Sequence, residues 1–220
     1  MNYESEKNRI GWICTYTPEE LIYAAGFTPV RLLAGTENNE KEAEDLLPAN
    51  ICPFVRQILG NIKSNSYSNL TGIVVVQSCN AMMHLYNALK ESFDGFVYLL
   101  DVPRKNDQEA ISFFIEELDS FLTYLENKSK PLESGTLNKS IDLYNRRINF
   151  IKELMNNYSS TIDNTFSCGI YGLSEEASSK PPADFINKLE AILKGKGPSL
   201  SDHKTGKLHY CFQKEFHPAA

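Results

Sequence analysis

Residues 70–80 read LTGIVVVQSCN, and the run Gly72-Ile73-Val74-Val75-Val76 inside them is the clearest strand signal in the chain. It is β-branched, continuous and bounded by turn residues, the pattern of an interior parallel strand whose two faces are both covered. Downstream, Asn80 to Phe93 has a helical pattern, and Phe96 to Val102 (FVYLLDV) is a further strand that stops at Pro103. Upstream, Pro53 opens a helix bearing Phe54, Val55, Ile58 and Leu59, and Thr28 to Leu33 (TPVRLL) is a strand. The acidic stretch Glu37 to Asp45 between them is expected to be a loop with one solvated helical turn. Nearest the N-terminus, Arg9 to Cys14 (RIGWIC) reads as a buried strand. Pro18-Glu19-Glu20 then starts a helix, since proline suits a first turn and carboxylates there complement the helix dipole. That helix stops at Gly26, a residue suited to a C-terminal cap. The order β-α-β-α-β-α-β predicts an α/β fold with an open, mostly parallel, Rossmann-like sheet.

Beyond Pro103 the period changes. Asn106 with Glu109 has capping-box character, and Ile111, Phe114, Ile115, Leu118, Phe121, Leu122 and Leu125 follow at helical spacing. This stripe is expected to pack in the core. A second long helix carries Leu137, Ile141, Tyr144, Ile148, Ile151 and Met155, and the two are expected to pair antiparallel on the sheet. Asp184 to Leu193 is a short helix, Lys194 to Pro198 (KGKGP) a linker, and Lys207 to Phe212 (KLHYCF) a candidate strand. The expected division is an α/β domain over 1–104, a helical region over 105–195 and a tail or the start of a second α/β domain over 196–220.

Composition narrows the function. The 220 residues include 22 Lys+Arg and 28 Asp+Glu, a net charge of −6 with no basic run, which argues against a nucleic-acid partner. No stretch reaches the ~18–20 apolar residues of a membrane span, and the start MNYESEKNRIG lacks a signal-peptide core, so a cytoplasmic location is expected. No Gly-rich phosphate loop occurs.

The five cysteines, Cys14, Cys52, Cys79, Cys168 and Cys211, are odd in number and widely spaced, which speaks against a disulfide framework. Cys14 ends the first strand before a helix, Cys79 ends the Val-rich strand before a helix, and Cys52 precedes Pro53. In an open α/β sheet the carboxyl ends of the strands share one edge, where ligands bind. All three thiols also precede helix N-termini, which favour thiolates, the form that binds iron or zinc. Buried packing thiols, a reactive thiol and a shared metal site all remain open on this spacing, because no CxxC pair is present.

The segments IGWICTYTPEELIYAAGFTPVRLLAG (10–35), LPANICPFVRQILG (47–60), LTGIVVVQSCNAMMHLYNAL (70–89) and YLLDVPRKNDQEAISFFIEEL (98–118) resemble, in this order, the 2-hydroxyacyl-CoA dehydratase and benzoyl-CoA reductase subunit family, which includes double-cubane cluster proteins. The resemblance runs from about Arg9 to Glu126 and continues more weakly around Tyr144-Asn145-Arg146-Arg147. It implies an oxygen-sensitive iron–sulfur subunit of anaerobic metabolism. Cys52 matches the family's Cys-Pro ligand, Cys79 its Ser-Cys-Asp ligand, and Cys14 the position before the Pro-Glu-Glu-Leu helix, a cysteine in some branches only. The cofactor implied is a [4Fe–4S]-type cluster, a double cubane included. In the dehydratases such a cluster takes one electron from an ATP-dependent activator protein and passes it to a 2-hydroxyacyl-CoA thioester, whose ketyl radical loses hydroxide. The chain is thus expected to be a subunit of such a lyase or of a related reductase, partnered by a complementary dehydratase subunit or a second copy. The alternative is a truncated non-catalytic paralogue or an electron-transfer subunit. Asn80 stands where the family has Asp. The family also continues into a second α/β domain, expected to begin about where this chain ends, with Lys207 to Phe212 as its first strand.

Other groups are weaker candidates. His203, His209, Cys211 and His217 fit none of the common zinc spacings. Cys168, in FSCGIYG, is expected in a loop near the cluster or in a buried strand, His84 at a helix surface or core edge, and Glu19 and Glu20 chiefly as helix-start residues, either of which could also hydrogen-bond in the crevice.

Overall fold

The computed structural model describes residues 8–34, 39–67, 69–158, 173, 176–177 and 182–194. The chain divides into two compact units, Met1–Ile141 and Asp142–Ala220.

In the first unit the elements alternate as β1 (Arg9–Trp12), α1 (Glu19–Ala24), β2 (Thr28–Arg31), a 3-10 helix (Glu40–Ala43), α2 (Pro53–Lys63), β3 (Leu70–Val76), α3 (Asn80–Ser92) and β4 (Phe96–Leu100). Two long helices follow, α4 (Gln108–Lys128) and α5 (Thr136–Tyr158). The four strands form one sheet in the order β2-β1-β3-β4, and all three pairings are parallel. From β1 the chain steps one way to β2 and the other way to β3. The reversal of strand order therefore lies between β1 and β3.

β3 shows why its sequence is apolar without alternation. Ile73 and Val75 point to one layer, with Ile58 and Leu59 of α2 and Leu85 and Leu89 of α3. Val74 and Val76 point to the other, with Leu21 and Ile22 of α1 and Phe121 and Leu125 of α4. All four β3 side chains are fully buried, and each contributes roughly 1.5–3 kcal/mol by leaving water. Gly26 ends the α1 segment at φ 86°, the left-handed conformation that glycine adopts without strain.

Two local expectations are corrected. The cap of α4 is Asp107, not Asn106: its carboxylate accepts from the Ala110 N–H at 2.8 Å. The apolar stripe of α4 is core only in its second half. Phe121 and Leu125 are buried, whereas Ile111 and Ile115 are 47% and 54% exposed. Length explains this: 21 helical residues span about 31 Å, whereas the five residues of β4 cover about 17 Å. The far end of α4 is tied to α1 by Ser129, whose hydroxyl donates to the Ala25 carbonyl at 2.8 Å. Leu137 of α5 joins the same core, and the Ser140 hydroxyl donates to the Glu20 carbonyl at 2.8 Å. The layer over this face thus draws on α1 and α4 together with the first turns of α5.

The second unit holds α5 from Asp142 onward and α6 (Pro182–Leu193), packed through Leu154, Leu173, Phe185, Leu189 and Ile192. The buried Arg147 lies 4.4 Å from the Tyr144 ring centroid and donates to the Ala177 carbonyl at 3.0 Å. Residues 168, 203, 207–212 and 217, singled out in the sequence, lie outside the described residues.

Candidate functional site

The sheet's carboxyl edge gathers the ends of β1, β2 and β3 with the starts of α2 and α3. Cys14 follows β1 in a turn that the Thr17 N–H closes on the Cys14 carbonyl at 3.0 Å. It is half-buried and packs against both cores. That places it over the end of the sheet, between the two layers, where strand order reverses.

Cys52 and Cys79 are exposed and occupy the N-caps of α2 and α3. The Cys52 carbonyl accepts from the Val55 and Arg56 N–H groups at 3.0 and 3.2 Å, and the Cys79 carbonyl from Met82 and Met83 at 3.1 and 3.4 Å. Neither side chain makes a capping hydrogen bond, so both thiols are uncommitted to their helices. Each stands at a terminus whose first N–H groups lack intrahelical partners and which attracts negative charge. Pro53 sets the start of α2 with its fixed φ.

Arg56, one turn into α2, braces this start. Its guanidinium pairs with Glu40 at 3.1 Å and Glu44 at 3.5 Å and donates to the Ala49 carbonyl at 3.4 Å. The acidic stretch before α2 therefore has a structural task, holding the 3-10 helix and the Cys52 turn together. Deeper in α2, Asn61 is 4% exposed. It donates to the Leu33 and Ala34 carbonyls at 3.3 and 2.7 Å and accepts from Asn39 and Gln57 at 2.9 and 3.0 Å. The Tyr67 hydroxyl exchanges hydrogen bonds with both backbone groups of Leu33. Burial pushes its pKa above 10.0, against the lowering effect of those bonds. The segment leaving β2 is thus pinned to α2 from below.

Cys14 and Cys79 thus follow the carboxyl ends of β1 and β3, and Cys52 stands at the start of the helix that leads on to β3. Their side chains are not gathered, however: among the described residues no three His, Cys, Asp or Glu groups are close enough together to hold a metal ion. In donor chemistry the set suits an iron–sulfur cluster, being three free thiols of which two cap helices. His84 is exposed, and Glu19 and Glu20 form the first turn of α1.

Three residues at this edge were not singled out in the sequence: Trp12, Thr17 and Arg31. Buried atoms of all three, Trp12 Nε1, Thr17 Oγ1 and Arg31 Nε, have no hydrogen-bond partner among the described residues. The signal is the single tryptophan at the end of β1 and an arginine at the end of β2. Only the register shows that they are neighbours.

Residues 14–202 match the family described as 2-hydroxyglutaryl-CoA dehydratase, D-component. The chain is 26% identical over 159 residues to the (R)-phenyllactyl-CoA dehydratase beta subunit of Clostridium sporogenes, covering 71% of this chain and 41% of that one. It is 24% identical over 165 residues to the lactoyl-CoA dehydratase beta subunit of Anaerotignum propionicum, covering 73% and 44%. It is also 24% identical over 149 residues to a benzoyl-CoA reductase subunit of Thauera aromatica, covering 66% and 39%. The matches thus span less than half the length of these relatives. No described helix is long and apolar enough to cross a membrane. With a family match that runs through all three cysteines and both compact units, the chain belongs to the 2-hydroxyglutaryl-CoA dehydratase D-component family.

Proposed function

We propose that this chain serves as an iron–sulfur subunit of a 2-hydroxyacyl-CoA dehydratase, with Cys14, Cys52 and Cys79 as ligands of a [4Fe–4S]-type cluster. The observation that supports the reading is a set of three free thiols of which Cys14 and Cys79 follow adjacent strands of one parallel sheet and Cys52 and Cys79 are uncommitted N-caps. When bound, such a cluster supplies a low-potential electron and an open iron that acts as a Lewis acid toward an acyl-CoA oxygen. The chain's own residues prepare the place. The starts of α2 and α3 offer positive dipole ends to thiolates, and Arg56 with Glu40 and Glu44 holds the Cys52 turn. The electron donor in this reading is an ATP-dependent activator protein, and the partner is a complementary dehydratase subunit or a second copy.

The test is iron and acid-labile sulfide analysis, with EPR, on protein kept anaerobic throughout. About four iron and four sulfide per chain or per dimer are expected for a [4Fe–4S] cluster, with both lost in Cys52→Ser and Cys79→Ser. A second reading draws on the ungathered ligands: a non-catalytic paralogue that holds no cluster. Absence of iron after attempted reconstitution would decide for it. A redox-active cluster whose spectrum ignores acyl-CoA would instead identify an electron-transfer subunit of a related reductase.

A further inference from the structure

We propose that Trp12 and Arg31 form a binding site for an oxyanion, a carboxylate or a phosphate, at the carboxyl edge of the sheet. They are the last residues of β1 and β2 and stand opposite each other in the parallel register. Paired residues share a face of a sheet. Here the Arg31 guanidinium carbon lies 5.4 Å from the centroid of the Trp12 ring.

Two donors at this place are unmet among the described residues. Trp12 is 3% exposed and its buried Nε1 has no acceptor there, nor has the buried Nε of Arg31. No carboxylate among the described residues pairs with the Arg31 guanidinium. A buried donor without a partner is costly, and native structures rarely leave one so. An indole N–H and a guanidinium can only donate. The group that satisfies both must therefore be acceptor-rich, and the planar fork of arginine matches carboxylate and phosphate oxygens. Thr17, whose buried hydroxyl also lacks a partner among the described residues, lies in the turn between Cys14 and α1 and adds a donor near the same strand end. Ligands of open α/β sheets bind at this edge. The inference does not depend on iron binding by the cysteines.

Trp12 is the chain's single tryptophan, so its emission reports this site alone. The full chain, prepared anaerobically, is titrated with sodium phosphate and with sodium acetate against sodium chloride of equal ionic strength. The series is run on protein as isolated and after iron chelation, which separates this site from any cluster. A saturable change in Trp12 emission with phosphate or acetate, absent with chloride, is expected in both preparations. The tighter of the two anions identifies the acid group of the ligand. In Arg31→Gln, with folding checked by circular dichroism, the half-saturation concentration should rise about ten-fold or more, the loss of about 1.4 kcal/mol. If Arg31→Gln does not fold, Arg31→Lys carries the comparison, keeping the charge but losing the fork. A wild-type response to phosphate and acetate no different from chloride overturns the proposal. So does an unchanged half-saturation in the folded variant.

Discussion

Replacing Asn61 by alanine should loosen the helix that presents Cys52, by an amount the hydrogen bonds define. Asn61 uses its whole capacity: two donated bonds to the Leu33 and Ala34 carbonyls and two accepted from Asn39 and Gln57. A net contribution of roughly 0.5–1.5 kcal/mol per bond puts the four at about 2–6 kcal/mol. Leu33 keeps the Tyr67 hydroxyl as a donor to its carbonyl, and water reaches the half-buried segment at residues 33–34. Both soften the loss, which we place at about 3 kcal/mol. Urea unfolding followed by the emission of Trp12, the single tryptophan, reads the first unit directly. With a slope of about 2 kcal/mol/M the midpoint should fall by about 1.5 M. Asn61→Asp sharpens the test. It keeps the oxygen that accepts from Asn39 and Gln57 but sets a second carboxylate oxygen against the Leu33 and Ala34 carbonyls, so at neutral pH it should be at least as destabilising as alanine. Part of that loss should return in acid, where the protonated carboxyl can donate. A midpoint shift below about 0.3 M for alanine at unchanged slope would refute the reasoning.

Gly72→Ala should destabilise by about 1–3 kcal/mol through overpacking. A Cβ there would run into the ring of Phe96 on the neighbouring strand. Phe96→Leu in the same chain should recover part of the loss in a denaturant titration. Asp107→Ala should cost about 0.5–2 kcal/mol as the loss of a helix cap, while Asn106→Ala should leave thermal unfolding unchanged. Alkaline pH should weaken the first unit. Burial raises the pKa of Tyr67, and burial followed by the charge of Glu117 raises that of Tyr98, both from 10.0. Below pH 10 both phenols are neutral in either state. As the pH passes 10.0 the unfolded phenols ionise first, the folded chain retains protons, and stability falls with rising pH until the folded values are passed. Tyr98→Phe should make that decline in unfolding midpoint shallower.

What could be read in the sequence was whatever is locally determined. β3 announced itself because an interior parallel strand is apolar on both faces, and α2 because Pro53 suits a first turn. Gly26 marked the end of the α1 segment because a left-handed residue is needed there. The three cysteines were singled out by the same logic, each lying between a strand and a helix or ahead of a proline. The spacing of Asn106 and Glu109 points to a cap one residue too early, since Asp107 carries an equivalent side-chain acceptor and only the folded backbone shows which of the two takes the role.

Strand order, by contrast, belongs to the tertiary structure. The order β2-β1-β3-β4 depends on where each crossover lands, and no local pattern encodes that. It places Cys14 at the reversal point, and it alone makes Trp12 and Arg31 neighbours. Which half of the α4 stripe meets the sheet follows from the length of the helix relative to the strands it covers. Propensity, capping and periodicity act over a few residues, so the elements and the chemistry each one carries were legible along the chain. Which of those chemistries meet rests on contacts between residues far apart in the chain, and these exist only once the sheet has assembled.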